Sequence, residues 1–168
     1  MIIEAVAELR IQYDADLSLF RTAWVPGAPN THYRAVSERL LDVAEQYPAR
    51  HYLVDMSDVP DISVYDQLWL GRHWVPRGLR LPIARIVYCN QPARIHNQLA
   101  IESLLYLSQP FIKFDVQFFS EADAALDWLS DSSPRLPALL AEWEQHFGPS
   151  PPPDEVAEPK TPYQRQQE

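Results

Sequence analysis

The sequence is poor in cysteine and glycine, two residues on which several common kinds of functional site depend. Its 168 residues include one cysteine, Cys89, and only four glycines. A single thiol excludes an internal disulfide framework and a thiolate-rich metal site. Phosphate-binding loops need glycine so that the backbone can approach the anion, and no such glycine-rich fingerprint is present. The sequence therefore predicts no metal and no other cofactor.

Positive charge is also scarce. The chain has 14 Lys and Arg against 23 Asp and Glu, for a net charge of −9. Proteins that bind nucleic acid use basic groups to neutralise phosphates, so this balance argues against such a partner. No stretch of about 18 apolar residues is available to span a membrane, and the first residues lack the pattern of a signal peptide. We therefore expect a cytoplasmic protein without a membrane span.

Hydrophobic residues make up 46% of the chain and alternate with turn signals in a regular order. Alternating apolar and polar residues over 2–13 and 17–25 predict a β-hairpin. The remaining patterns predict helices over 30–47, 63–78, 93–108 and 120–129, with strands over 50–56, 83–89 and 111–119. Asn30 or Thr31, Ser63 and Ser120 are the predicted N-caps.

This order, β-β-α-β-α-β-α-β-α, predicts an α/β fold with a mixed, mostly parallel sheet. The loops after residues 56, 89 and 119 should then meet at one edge of the sheet, where ligands and partners usually dock. We expect one α/β domain over 1–131 and an appended amphipathic helix over 132–148, which docks on the domain or on a second copy. The Pro-rich segment 149–168 is predicted to be disordered.

Three stretches resemble a known family. In YLVDMSDVPDIS (52–63), a strand ends on an aspartate before a loop and a helix, as in the STAS domain of bacterial anti-sigma-factor antagonists. The stretches SVYDQ (63–67), WVPR (74–77) and NQLAIES (97–103) are similar to small bacterial proteins of a STAS/SEC14-like group. The likeness covers roughly residues 1–131. It implies a STAS-like fold and a regulatory role, with phosphorylation of a serine in the antagonists.

Ser63 carries two interpretations. As a phospho-acceptor at a helix N-terminus, it would add nearly two negative charges to a docking surface. As an N-cap, it would pair with Asp66 in an arrangement like a capping box. The antagonists carry their serine in a glycine-containing run, whereas the loop here has no glycine, and in an ungapped alignment Val64 takes the place of the serine. The cap is the favoured interpretation, and the two roles can coincide.

The helix that follows Ser63 is apolar on almost every side. Val64, Leu68, Gly71 and Val75 share one face and are predicted to meet the sheet, with Gly71 allowing close approach. Tyr65, Trp69 and His73 repeat at four-residue spacing on another side. Exposed aromatics there would mark an interface with a partner. Alternatively, the C-terminal helix or the neighbouring helix covers them.

Other polar residues are weaker candidates for a functional site. Cys89, with His96 seven residues later, could form a nucleophile and base, but a half-buried thiol with no role in catalysis is favoured. Asp55, Asp58 and Asp61 lack the spacing of a cation loop, and aspartates are common where a strand leads into a helix. Asn97, Gln98 and Glu102 form a polar helical edge that we expect to be solvated, although Asn97 could bind a ligand or a loop.

The sequence therefore predicts a non-enzymatic regulatory or protein-interaction module that acts through the edge around residues 57–75. Its partner would be another protein or a second copy of the chain. The alternative is a carrier or sensor of a small apolar ligand or lipid, held between the sheet and the helices by aromatic side chains. The candidate partner- or ligand-binding residues are Ser57, Asp58, Asp61, Ser63, Tyr65, Trp69, His73, Asn90 and Asn97.

Overall fold

The computed structural model describes residues 1–90 and 95–148, and its centre is one six-stranded sheet. The strands are β1 (Ile2–Ile3), β2 (Leu9–Asp14), β3 (Leu19–Trp24), β4 (His51–Asp55), β5 (Arg85–Cys89) and β6 (Asp115–Phe119). They lie side by side in chain order. The pairs β1–β2 and β2–β3 are antiparallel, and the three pairs from β3 to β6 are parallel. The predicted α/β class with a mixed, mostly parallel sheet is confirmed.

Helices connect the parallel strands and continue beyond the last one. They are α1 (Tyr33–Gln46), α2 (Val64–Trp69), α3 (Val75–Gly78), α4 (Ile95–Ser108), α5 (Ala122–Leu129) and α6 (Leu136–Phe147). A π-helical turn, Leu70–Trp74, joins α2 to α3 in one continuous segment. The predicted disordered tail, 149–168, and the start of the helix predicted over 93–108 lie outside the described residues.

The two faces of the sheet are covered by different helices. Successive parallel strands advance in one direction across the sheet, so right-handed crossovers bring α1, the α2–α3 segment and α4 to the same face. Their buried residues form the main core with Phe20, Tyr52 and Ile86 of the sheet. α5 and α6 pack on the opposite face, around Leu19, Leu53 and further residues of a second core. The C-terminal helix α6 therefore docks on its own domain, against β1, β2 and α5.

Several local predictions are wrong for identifiable reasons. The strand predicted over 2–13 is interrupted, because residues 4–8 turn the chain so that Ile3 pairs back with Ile11. Neither Asn30 nor Thr31 caps α1, which follows a short 3₁₀ turn. Ser120 does not cap α5; the N-cap is Glu121, without a side-chain hydrogen bond. The last strand begins at Asp115, four residues later than predicted, because residues 109–111 form a 3₁₀ turn.

The strand ends that were predicted to meet at one edge of the sheet do so. Asp55, Cys89 and Phe119 end their strands in register with one another, and Ala23 lies beside Asp55 on β3. The loop that follows Asp55 is joined to the next strand, since the backbone N–H of Met56 donates to the carbonyl of Cys89 at 2.7 Å. The chain thus brings the loop 57–63, Asn90 and the start of α4 to one end of the sheet.

Candidate functional site

The loop after β4 is held by side chains that also cap its turns. The carboxylate of Asp55 accepts a hydrogen bond from the backbone N–H of Ser57 at 2.9 Å, a turn that aspartate commonly forms with its own backbone. Ser57 and Asp58 are half-buried, whereas Asp61 is exposed. The side chain of Asn30, at the entry to α1, donates to the carbonyl of Asp61 at 3.3 Å. These contacts give the loop a defined path along the edge of the sheet.

Asn97 fixes the middle of this loop from α4. Its side-chain oxygen accepts from the N–H of Ile62 at 3.0 Å, and its amide nitrogen donates to the carbonyls of Val59 at 3.0 Å and Pro60 at 3.2 Å. The residue is 1% exposed. Of the two predictions for Asn97, the solvated edge is wrong and the alternative, binding of a loop, is confirmed. Asn90 is also buried, and its amide donates to the side chain of Gln98 at 3.1 Å.

Ser63 is the N-cap of α2, as predicted. Its hydroxyl accepts from the N–H of Asp66 at 3.1 Å and donates to the Asp66 carboxylate at 2.6 Å. The guanidinium of Arg34 lies 2.7 Å from the other carboxylate oxygen. Burial raises the pKa of Asp66, but the hydrogen bonds from Ser63 and Arg34 outweigh that effect and bring the pKa below its usual value. The Ser63 side chain is at the surface, beside this ion pair.

The α2–α3 segment presents a different side to the sheet from the predicted one. Leu70 is buried, and the indole N–H of Trp74 donates to the carbonyl of Ser37 at 2.8 Å. Val64 and Leu68 are 67% and 53% exposed, so the prediction that they meet the sheet is wrong. Leu68 and Leu70 are two positions apart, about 200° around a helix, so the burial of Leu70 turns Leu68 and Val64 outward. The π-helical turn directly precedes Val75-Pro76, where the proline has no N–H to donate to the preceding turn.

The predicted aromatic row of α2 is only partly exposed. Tyr65 is 77% exposed, and His73 is also exposed. Trp69, however, is half-buried against the main core, with the Arg34 guanidinium 5.7 Å from its ring centre. Gly71 provides the predicted close approach, but to α4: a Cβ at Gly71 would lie 3.4 Å from the side chain of Leu104. The segment therefore packs between the core and α4 and leaves its outer side open.

An apolar surface that the sequence reasoning missed extends from α2 across α4. Besides Val64, Tyr65 and Leu68, the exposed large hydrophobic residues here are Ile95, Leu99, Tyr106, Leu107 and Phe111. Between the two helices lies an open groove of about 590 Å³, named here the α2–α4 groove. Its apolar lining includes Leu68, Val75, Leu79, Leu104, Leu107 and Phe111. The sequence signal for this surface lies in α4, which has apolar residues on every side. A helix of this kind is usually buried all round or covered by a partner.

Beneath the helices, the main core contains an apolar cavity of about 150 Å³. The sheet supplies its floor, which includes Phe20, Thr22, Tyr52, Val54, Ile86 and Tyr88, and α1, the α2–α3 segment and α4 supply its walls. Four residues line both the cavity and the α2–α4 groove: Val75, Leu79, Leu104 and Ser108. The groove therefore adjoins the cavity at these residues. An apolar space of this kind can hold a small apolar molecule.

The opposite face of the sheet holds a buried arginine that sequence reasoning also missed. Arg21, on β3, is 1% exposed, and its guanidinium lies 3.7 Å from the ring centre of Trp143 on α6. Burial lowers the pKa of Arg21 to about 10, while the carboxylates of Asp55 and Asp123 oppose that shift. The alternation of β3 places Arg21 between Leu19 and Ala23, and a single arginine in an apolar strand gives no sequence signal of burial.

Cys89 lies at the same edge but is poorly suited to nucleophilic chemistry. The thiol is buried, and burial raises its pKa to about 12. A thiol in that state carries little thiolate near neutral pH, whereas a reactive cysteine needs a lowered pKa. The ring of His96 contacts the carbonyl of Ile62 at 3.1 Å and thus helps to hold the loop.

Within residues 1–90 and 95–148, no group of three or more His, Cys, Asp or Glu side chains is placed to hold a metal ion. In the same part of the chain, no helix has the length and apolar character to cross a membrane. No family model, curated protein or solved structure matches this chain.

Proposed function

We propose that the protein binds a small apolar ligand in the cavity of its main core, as a carrier or a sensor. The observation that carries this proposal is the cavity of about 150 Å³, with its apolar lining and the α2–α4 groove beside it. Sequence reasoning ranked a protein-interaction module first. The cavity favours ligand binding, because binding of a protein partner requires only an exposed aromatic surface and no cavity beneath it.

The size of the cavity supports a ligand on energetic grounds. Protein interiors are close-packed and contain few voids larger than a water molecule. At roughly 24 cal/mol per Å³, an empty space of about 150 Å³ costs about 3–4 kcal/mol of stability. An apolar molecule that fills the space restores lost contacts. A cavity of about this volume engineered in another protein stays dry and binds benzene.

Toluene is a suitable probe for the cavity. We expect toluene to raise the unfolding temperature in a concentration-dependent manner, because a ligand that binds only the folded state stabilises it. The variant Ala44→Leu places a larger side chain into the lining from α1 and should abolish the shift. The matched control is Ala35→Leu, on the exposed side of the same helix, which should leave the shift unchanged. No shift with the wild-type protein would contradict the proposal.

A second candidate function is docking of a protein partner on the surface around the groove. The specific observation is the number of large apolar side chains left exposed on α2 and α4, since patches of this kind mark interaction sites. The net charge of −9 favours a partner segment with basic flanks over a second copy of this acidic chain. We therefore propose an apolar helix flanked by Lys or Arg as the occupant.

Docking can be tested with a 14-residue amphipathic helix of leucine and lysine as the probe. Leu107→Asp places a charge at the groove and should weaken peptide binding at least tenfold. Ala138→Asp introduces the same charge on the exposed side of α6, and binding should change less than twofold. Equal effects of the two variants would show that only net charge matters and would contradict docking in the groove. Sedimentation velocity of the wild-type protein tests self-association as the competing outcome.

A further inference from the structure

The two edges of the sheet are protected to different degrees. At one edge, β1 has only two residues, and α6 packs against it. A short strand and a covering helix both prevent pairing with another chain. At the other edge, β6 has five residues, and Asp115, Gln117 and Phe118 are exposed. Within residues 1–90 and 95–148, no strand pairs with the outer side of β6. This edge is therefore the one that can accept a further strand.

The hydrogen bonds of β6 show which backbone groups are available on its outer side. The N–H of Asp115 donates to the carbonyl that precedes β5, and the carbonyl of Phe119 accepts from the N–H that follows β5, both at 3.0 Å. These two residues thus direct their backbone groups toward β5. Because successive residues of a strand direct these groups to opposite edges, Val116 and Phe118 direct theirs outward.

The side chains of Val116 and Phe118 suit a pairing of β6 with itself. Both lie on the main-core side of the sheet, where Val116 is half-buried and the ring of Phe118 stacks on Tyr88 at 5.6 Å. Phe118 is 37% exposed. In an antiparallel pair of two β6 strands, Val116 of one copy can lie opposite Phe118 of the other. An aromatic residue opposite a β-branched one is a stabilising cross-strand pair.

The charges that flank β6 favour one register of this pair. A two-fold axis at Gln117 places Val116 opposite Phe118 and also Lys113 of one copy opposite Glu121 of the other, on both sides of the axis. The side chains of Lys113 and Glu121 are exposed. An axis one residue later would place Asp115 opposite Glu121, and like charges directly opposite each other are destabilising. An axis one residue earlier would pair no opposite charges.

We infer that two copies of this chain associate through β6, antiparallel about a two-fold axis at Gln117, so that their sheets become one. Each copy contributes the same surface, as in most dimers. The inference is independent of the ligand-binding function proposed above. The net charge of −9 opposes association, as it does at the α2–α4 groove. Charges are screened beyond about 8 Å at physiological salt, however, and two pairs of opposite charge lie within this interface. A single pair of strands is a small interface, so the dimer should be weak and dependent on concentration.

Hydrogen exchange resolved to single residues tests the pairing on the full-length wild-type protein. When the concentration rises from about 20 to about 500 µM, the amides of Val116 and Phe118 should exchange about threefold more slowly, because pairing protects them. The amides of Gln117 and Phe119 face β5 and should not change. Sedimentation velocity over the same range should show a monomer converting to a dimer. A protein that stays monomeric at the highest concentration overturns the inference, and so does a dimer without protection at Val116 and Phe118.

A charge reversal and its compensation test the register. Lys113→Glu replaces two attractive pairs with two repulsive ones and should weaken the dimer at least tenfold. The double variant Lys113→Glu with Glu121→Lys exchanges the charges and should restore the dissociation constant to within threefold of the wild type. Arg80→Glu changes the net charge equally at an exposed site on another part of the chain and should have less than a twofold effect. Thermal unfolding verifies that each variant folds.

The outcomes also separate this dimer from self-association elsewhere. Leu107→Asp alters the α2–α4 groove and should leave the β6 dimer unchanged. If Leu107→Asp abolishes the dimer while Lys113→Glu does not, the copies associate through the groove and the inference is overturned. Equal effects of Lys113→Glu and Arg80→Glu, or a double variant that stays monomeric, would refute the register. None of these results bears on the binding of toluene in the cavity, so the proposed function stands or falls separately.

Discussion

The two faces of the sheet are covered by unequal amounts of helix and are closed to different degrees. On the α5–α6 face, Leu53, Val87, Ala125 and Leu126 are each 0% exposed, and they form a tightly packed second core. On the α1–α4 face, the larger main core encloses a cavity and leaves hydrophobic residues at the surface. Chains gain stability by filling voids, so a face that stays hollow and open is the part of the molecule in which to seek function.

The largest expected effect compares one leucine from each face. Leu126 of α5 is 0% exposed in the sealed core, whereas Leu41 of α1 is 3% exposed and lines the cavity. We expect Leu126→Ala to lower the free energy of unfolding by about 4 kcal/mol and Leu41→Ala by about 2 kcal/mol, because Leu41 already faces empty space and has fewer contacts to lose. Urea denaturation gives both values. Equal losses would show that the main core is as well packed as the second one.

A somewhat smaller effect is expected where the open face meets the loop 57–63. Asn97→Ala removes three hydrogen bonds to the backbone of that loop. The partner groups are left buried and unpaired, so we expect a loss of about 2–3 kcal/mol and faster hydrogen exchange at the Ile62 amide. Gln98→Ala, at the neighbouring position, should cost less than about 1 kcal/mol. Unchanged exchange at Ile62 would contradict the role of Asn97 as the anchor.

The sequence predicted the parts of this fold that follow from local pattern. Alternation in β3 and the apolar runs of β4 and β5 identified the strands, and Ser63 with Asp66 identified the start of α2. The orientation of α2 was not predictable, because the segment is apolar on almost every side and its periodicity does not single out the face that meets the sheet. The cavity was equally hidden, since it depends on how far three helices stand from the sheet, which is a tertiary property.

One site residue illustrates the same limit. The polar neighbours Gln98 and Glu102 favoured a solvated edge for Asn97, with binding of a loop as the alternative, and of the three it is Asn97 that turns toward the loop 57–63. The sequence could not decide between the two, because tertiary packing sets which side of α4 faces the loop.

Stability at alkaline pH provides a further test, because burial in the main core raises the pKa of a tyrosine. Burial raises the pKa of Tyr52 to about 12, above the ordinary value of 10.0. Tyrosines of the unfolded chain lose their protons first, so stability should fall as the pH rises from about 10 to 12. At pH 11, we expect the stability loss of Tyr52→Phe to be about 1 kcal/mol smaller than that of the wild type. Urea denaturation at pH 8 and at pH 11 measures the stability loss of each protein. The control is Tyr106→Phe, because Tyr106 is 77% exposed. An identical loss in Tyr52→Phe and the control would contradict the assignment.

The smallest expected effect concerns Ser63, at the rim of the open face. Ser63→Ala removes the cap of α2 and one hydrogen bond to the Asp66 carboxylate, and we expect a loss of about 1 kcal/mol at pH 7. The folded-state pKa of Asp66 is lowered, so its stabilisation is complete above the ordinary value of 3.8 and disappears as the pH falls through the lowered pKa. Without Ser63 that pKa should rise, and the variant should lose less stability than the wild type between pH 5 and about 3. Ser63→Thr keeps the hydroxyl and should resemble the wild type. If Ser63→Ala instead unfolds in acid in parallel with the wild type, the cap does not act through Asp66.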